Sequence, residues 1–268
     1  MTTTLKKLIA LDIDGTIMFE DGFIPQEVKD EVQRLLASGH EVMVATGRGG
    51  PITLPVVKEL GIAPQYIVCA NGAVILERDE SEESGYRRAF VKTFDPRDLL
   101  LELLSLVPEG NFAVEDEHGF LMFTKGFDYR GGDKARKVLF EELLAVPATR
   151  VILVSSEHTT EEFTAIVSQM GMHEASYSVG WTAWLDITPH GVNKATALEQ
   201  VRLDLGIARE EVYAIGDGRN DVEMLEWAGE FGRSAVMGSA PEEIHGYASE
   251  ITEALAQGGS ARFLSTII

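Results

Sequence analysis

Leu8-Ile9-Ala10-Leu11-Asp12-Ile13-Asp14-Gly15-Thr16 is the stretch on which the fold turns. Four apolar residues in a row ending in carboxylates predict a strand buried on both faces of a parallel sheet. In open α/β sheets ligands bind beyond the carboxyl ends of the strands, so Asp12 and Asp14 stand where chemistry is expected. Two carboxylates there suit a hard cation, and Gly15 frees the backbone so that Asp14 can turn independently of Asp12. The same residues would also serve as an Asp-Gly turn between two strands. A helix-loop-helix calcium loop is disfavoured, because its glycine follows three alternating oxygen ligands and Gly15 follows two.

Outward from this strand the pattern repeats. Val28, Val32, Leu35 and Leu36 share one helical face between Pro25 and Ser38, with Gly39 as the stop. Glu41 to Ala45 reads as a second strand, Pro51 to Leu60 as a helix, and Tyr66 to Cys69 as a third strand. Strand, helix, strand, helix, strand predicts a doubly wound, mostly parallel, Rossmann-like α/β sheet. After Leu76 the acidic, serine-bearing run Glu77 to Gly85 reads as a linker. Strand candidates follow at 88–93, 112–115, 120–124 and 151–155, interleaved with helical stretches near 96–106, 133–145 and 160–170. Past Gly191 the first pattern resumes: a helix to Leu205, a strand at Val212 to Ile215, a helix from Arg219 to Ala228 and a strand within Phe231 to Met237. The expected organisation is one α/β core, residues 1–82 and 187–268, interrupted by an inserted α/β domain, residues 83–186.

The 268 residues fit about two domains at a prior of roughly 150 each. An apolar share of 45% and a charged share of 25% are globular values. Net charge is −20, which repels nucleic acid and anionic lipid, so neither is an expected partner. A small phosphorylated ligand is also an anion, and would need a metal ion and a few placed cations to offset the global field. Cys69 is the single cysteine and sits in the apolar run Tyr66-Ile67-Val68-Cys69, which excludes an intrachain disulfide and predicts a buried core thiol. The apolar stretch after Lys7 is too short for a signal peptide or a membrane span, so the cytoplasm is the expected location. The six histidines show no zinc spacing.

Three further segments carry chemistry, each at a strand end or helix start. In Thr46-Gly47-Arg48 the threonine hydroxyl and the free amides of the next helix suit a phosphoryl oxygen, with a plain helix cap as the alternative. Lys194, in Gly191-Val192-Asn193-Lys194, falls in the first turn of a helix, where the macrodipole disfavours a cation; it is functional or a solvated surface lysine. Gly216-Asp217-Gly218-Arg219-Asn220-Asp221 brings two more carboxylates to a strand end, with Asp217 placed as a metal ligand and Asn220 or Asp221 also able to cap the helix.

These four segments, in this order, resemble the four motifs of the haloacid dehalogenase superfamily, and the whole chain resembles its Cof-type phosphatases. Ala70-Asn71-Gly72-Ala73 and Val236-Met237-Gly238-Ser239-Ala240-Pro241 match as well, and the large α/β cap of that branch lies between the second and third motifs, as the inserted domain does here. The resemblance implies Asp12 as nucleophile and metal ligand, and Asp14 as acid and base whose backbone carbonyl meets the metal. It implies Thr46, Gly47, Arg48, Asn71, Lys194 and Asn220 around the phosphate or substrate, and Asp217 completing a Mg2+ site that Asp221 steadies or joins. Asp14 argues against the dehalogenase and ion-pumping branches, which lack an acid at that place.

The expected activity is Mg2+-dependent hydrolysis of a small phosphomonoester, such as a sugar phosphate, through an aspartyl phosphate, by a monomer or homodimer. A sugar phosphomutase of the same superfamily and a non-catalytic phosphometabolite-binding protein are the alternatives. Substrate choice is expected in the cap, whose cations include Arg87, Arg88, Lys125, Arg130, Lys134 and Arg136, most of them solvated. Trp181 and Trp184 could stack on a ring, but alternation along Trp181 to Ile187 favours half-buried strand residues.

Overall fold

A computed structural model describes residues 5–125, 132–159, 162, 163, 165, 175–179 and 184–268. Arg130, His173, Trp181 and most of the helix expected at 160–170 lie outside the described residues.

The first strand, β1 (Leu8–Leu11), is central in a parallel sheet with β2 (Glu41–Val44) on one side and β12 (Val212–Gly216), β13 (Arg233–Val236) and β14 (Glu250–Ile251) on the other. All four residues of β1 are fully buried. Its alternation divides them: Ile9 and Leu11 pack with Val28, Val32 and Leu35 of helix α1 (Gln26–Ala37), while Leu8 and Ala10 pack with Leu198 and Val201 of a helix spanning Lys194–Asp204. Helices thus cover both faces, as a continuous apolar strand requires. Leu11 pairs with Val44 and with Ile215, so the residues just beyond them, Asp12, Ala45-Thr46 and Gly216-Asp217, emerge side by side at one sheet edge.

Beyond β2 the order continues through β3 (Tyr66–Cys69), joined by a parallel bridge from Ala45 to Val68. From β3 the chain enters an antiparallel hairpin, β4 (Val74–Arg78) and β5 (Tyr86–Val91). The expected linker, Glu77 to Gly85, is therefore the end and loop of a hairpin. Its polar residues close the loop on themselves: the Asp79 carboxylate accepts from the Ser81 amide at 2.9 Å, and the Asp79 amide donates to the Gly85 carbonyl at 2.8 Å, with Gly85 at φ +76°. The strand expected at 88–93 is β5, and it pairs with β4.

A second, six-stranded sheet runs in the order β10 (Ala175–Val179), β11 (Trp184–Pro189), β9 (Ala148–Val154), β6 (Asn111–Asp116), β7 (Leu121–Phe123), β8 (Ala135–Lys137). One face buries Phe112, Val114, Val151, Leu153, Leu185 and Ile187 against Leu100 and Leu103 of a helix at Arg97–Leu106. The opposite face alternates with it and carries Glu115, Arg150, Ile152 and Asp186. The helix expected at 133–145 is replaced by a 3-10 turn at Gly132–Lys134, strand β8 and a short helix at Phe140–Leu143. The open edge of β7 is satisfied by pairing with β8, so sheet hydrogen bonding overrides the local helical preference. Among the described residues no helix is long and apolar enough to cross a membrane.

Candidate active site

The parallel register places Asp12, Asp217 and Asp221 together at the sheet edge, with one carboxylate oxygen of each within 4.8 Å of the others. All three are buried. Lys194 joins them. It is the first residue of its helix, capped by Asn193, whose side chain accepts from the Thr196 amide. It is fully buried, which removes the solvated reading, and its ammonium donates to Asp12 Oδ1 and to Asp221 Oδ1, both at 2.6 Å.

Asp221 is used on both oxygens: Oδ2 accepts from the amides of Asp217 at 3.0 Å and Gly218 at 2.9 Å. It caps this turn and anchors the lysine at once. Gly216 must lack a side chain because a Cβ there would collide with the Asp221 carboxylate. Asp217 Oδ1 accepts from the Thr16 hydroxyl at 3.2 Å, a contact between residues 201 apart that no local spacing in the sequence marks. Gly15 has φ +75°, and a Cβ on it would meet the Asp217 carboxylate, so two separate reasons favour glycine in this place.

Three buried carboxylates face one buried ammonium, and Asp12, Asp217 and Lys194 are shifted by the imbalance. Burial, then the charge of Asp221, pushes the Asp12 carboxyl up to about 7 against the pull of Lys194. Burial, then Asp12, pushes Asp217 up to about 8. Burial would lower Lys194, but Asp12 and Asp221 together carry it above the ordinary lysine value. A divalent cation among hard oxygen donors would neutralise the excess. The donor set therefore fits one.

The carboxylate of Asp14 lies outside this group. It is about half exposed and is held by Arg48, Nε to Oδ2 at 2.7 Å and an Nη to Oδ1 at 2.5 Å. Thr46 is buried and its hydroxyl oxygen accepts from the Arg48 amide at 3.1 Å. The next helix, α2 (Gly50–Glu59), begins at Gly49 as N-cap, so Thr46 does not cap it. Asn220 donates to the Asn71 side chain at 3.0 Å, and a Cβ on Gly47 would sit 3.2 Å from Asn71, so these three form one wall. Ala70 and Asn71 hold that wall with φ near +50° in succession, a strained conformation for residues with side chains.

Of the cations expected in a cap, Arg87 pairs with Glu77, Lys125 with Glu109 and Arg136 with Glu142, while Lys134 is exposed. Trp184 is half-buried on β11. The buried cation of that sheet is Arg150, which the sequence did not reveal: its partners Glu115 and Asp186 lie on other strands, 35 and 36 residues away. No local signal marks such a group.

Comparison with known proteins gives the family. The haloacid dehalogenase-like hydrolase family matches residues 9–264. A 5-amino-6-(5-phospho-D-ribitylamino)uracil phosphatase of Bacillus subtilis is 27% identical over 275 residues, with 96% of each chain covered. An HMP-PP phosphatase of Serratia proteamaculans is 28% identical over 255 residues, covering 89% of this chain and 86% of that one. Among solved structures, a subclass IIB sugar phosphatase superposes with a TM-score of 0.81 at 20% identity, covering 98% of this chain and all of the other, a likeness of fold. The chain belongs to the haloacid dehalogenase-like hydrolases, in their Cof-type phosphatase branch.

Proposed function

We propose that this protein is a Mg2+-dependent phosphatase that hydrolyses a small phosphorylated metabolite, a sugar phosphate or similar phosphomonoester, through an aspartyl phosphate on Asp12. The observation that supports it most is Lys194, fully buried between Asp12 and Asp221. A buried ion pair of this kind contributes little to stability compared with apolar packing, so a catalytic use is the better reason for it.

Lys194 holds Asp12 by Oδ1, which leaves the other oxygen for attack on phosphorus. Attack forms the Asp12 carboxyl-phosphate bond and breaks the ester bond, and the departing oxygen takes a proton from Asp14 as an alcohol. Asp14 then accepts a proton from the water that attacks the phosphoryl group, releasing inorganic phosphate and restoring the Asp12 carboxylate. Mg2+, held by Asp12, Asp217 and the Asp14 carbonyl with Asp221 in support, would supply charge neutralisation that lets an anion approach a carboxylate. Thr46, Lys194, Gly47 and the Asn71–Asn220 wall bind phosphoryl oxygens or the adjoining ester. Arg48, which donates to both oxygens of Asp14, holds that carboxyl in place beside the leaving group. Residues 83–186 act as the cap that limits water and selects the ester.

Two of the phosphatases it resembles act on a phosphoribitylamino uracil and on HMP-PP, which supports a small heterocyclic or polyol phosphate here. The test is phosphate release from a panel of sugar phosphates, flavin mononucleotide and pyridoxal phosphate, with and without Mg2+. Release that needs Mg2+, and a phosphoenzyme that is lost in Asp12→Asn while substrate binding survives, is expected. Measurable turnover by Asp12→Asn would overturn the nucleophile assignment.

A further inference from the structure

Glu115, Arg150 and Asp186 form a buried ionic group on the face of the six-stranded sheet opposite its helices, Arg150 at the centre on β9. Arg150 Nε donates to Glu115 Oε2 at 3.0 Å, and Nη1 lies 3.5 Å from Asp186 Oδ2. The group does not end within its own sheet. Nη1 also donates, at 2.5 Å, to the carbonyl of Gly47, 103 residues away in the Thr46-Gly47-Arg48 loop. Glu115 lies against the same loop, since a Cβ on Gly49 would strike its carboxylate. The inserted sheet thus grips the loop on both sides of Arg48, at residues 47 and 49, and Arg48 is the residue that holds Asp14.

As a stabilising device the group is poor. Two carboxylates and one guanidinium are buried together, Glu115 Oε1 finds no hydrogen-bond partner among the described residues, and burial raises the Asp186 carboxyl above the usual carboxylate range. Well-packed apolar residues would do as well or better for folding alone. What the charges add is reach: a long, planar donor that bridges two sheets and fixes a loop carbonyl in one place.

We propose that Arg150 is a positioning residue for the proton-transfer step: it clamps the Gly47 carbonyl to the cap, with Glu115 bracing it, and so fixes Arg48 and the Asp14 carboxylate that Arg48 carries. This rests on the phosphatase reading. Asp12, Lys194, Asp217 and Asp221 hang on other elements and do not depend on the clamp. Loss of the clamp therefore affects steps that need an acid at Asp14 more than steps that need only the nucleophile.

The experiment compares kcat/KM for an alkyl phosphate, whose leaving oxygen needs a proton, with that for p-nitrophenyl phosphate, whose leaving group departs as an anion. Both are measured with Mg2+ in wild type, Arg150→Met and Gly49→Ala. Misplacing an acid by about 1 Å costs up to ~10²-fold. The expected result is a fall of about 10- to 100-fold for the alkyl ester with at most about threefold for the aryl ester in both variants, and partial recovery of the ratio in Arg150→Lys. An equal loss on both esters, or an unchanged ratio, overturns the inference. Gly49→Ala keeps Arg150 and disturbs the clamp from the core side, so it decides the question if Arg150→Met fails to fold. Failure of the underlying phosphatase reading would show separately, as no turnover of either ester by wild type.

Discussion

The carboxylate cluster predicts an inverted pH dependence of stability that a divalent cation should correct. In the folded protein Asp12 titrates at about 7 instead of 3.8, and burial is the main cause. The sign follows: the folded state binds more protons than the unfolded chain at every pH between those values, so stability falls as pH rises from about 4 and the loss is complete above about 7. At ~1.4 kcal/mol per pH unit the difference amounts to on the order of 4 kcal/mol for Asp12. Asp217, raised to about 8, extends the window upward, and its share is not simply added because the two carboxylates act on each other. The assay is urea denaturation of the metal-stripped protein at about pH 5 and pH 8, each with and without Mg2+. Wild type should lose a few kcal/mol between the two pH values without metal. Mg2+ should restore much more at pH 8 than at pH 5, because at low pH protons already occupy the site. Asp217→Asn removes one repelling charge and should flatten the metal-free slope. A metal-free stability that is level or rises over this range, or a slope that Asp217→Asn leaves unchanged, would refute the reading of the cluster as a charge-strained cation site.

Lys194→Met should abolish phosphate release and lower metal-free stability by roughly 3–5 kcal/mol in urea denaturation, because two buried carboxylates lose their shared partner. Gly15→Ala combines a positive φ with a clash against Asp217; a loss of about 1–2 kcal/mol or more and weaker Mg2+ binding by calorimetry are expected, and wild-type Mg2+ affinity in this variant would contradict the placement of Asp217 in the site. Cys69 is fully buried with its thiol pushed up to about 12, so a thiol-directed reagent should leave the native protein unlabelled and react only on unfolding.

The core was legible because its signals are local. Leu8 to Leu11 reads as a doubly covered strand from four consecutive apolar residues, and the strands at 41–44, 66–69 and 212–216 carry the same mark. Where the sequence misled, composition concealed the hydrogen bonding that the backbone finds. Glu77 to Gly85 has the composition of a linker, yet the Asp79 carboxylate accepts from the Ser81 amide and the Asp79 amide donates to Gly85, which closes a hairpin. Residues 133–145 have helical composition, yet a free strand edge at β7 recruits part of them.

For the site, the residue types and their order along the chain were set by the sequence itself: carboxylates after β1 and β12, a threonine after β2, a lysine opening a helix. Each needs only its own strand end or helix start to be recognised. Which of them meet was decided by the tertiary structure alone. Parallel register sets Asp12 beside Asp217, the helix at 194–204 drives Lys194 into full burial between Asp12 and Asp221, and Asp14 turns away to Arg48. The grip of Arg150 on Gly47 belongs wholly to this second kind. A hydrogen bond across 103 residues leaves no periodicity or spacing in the chain, because it depends on how two sheets face each other and on nothing that either segment encodes by itself.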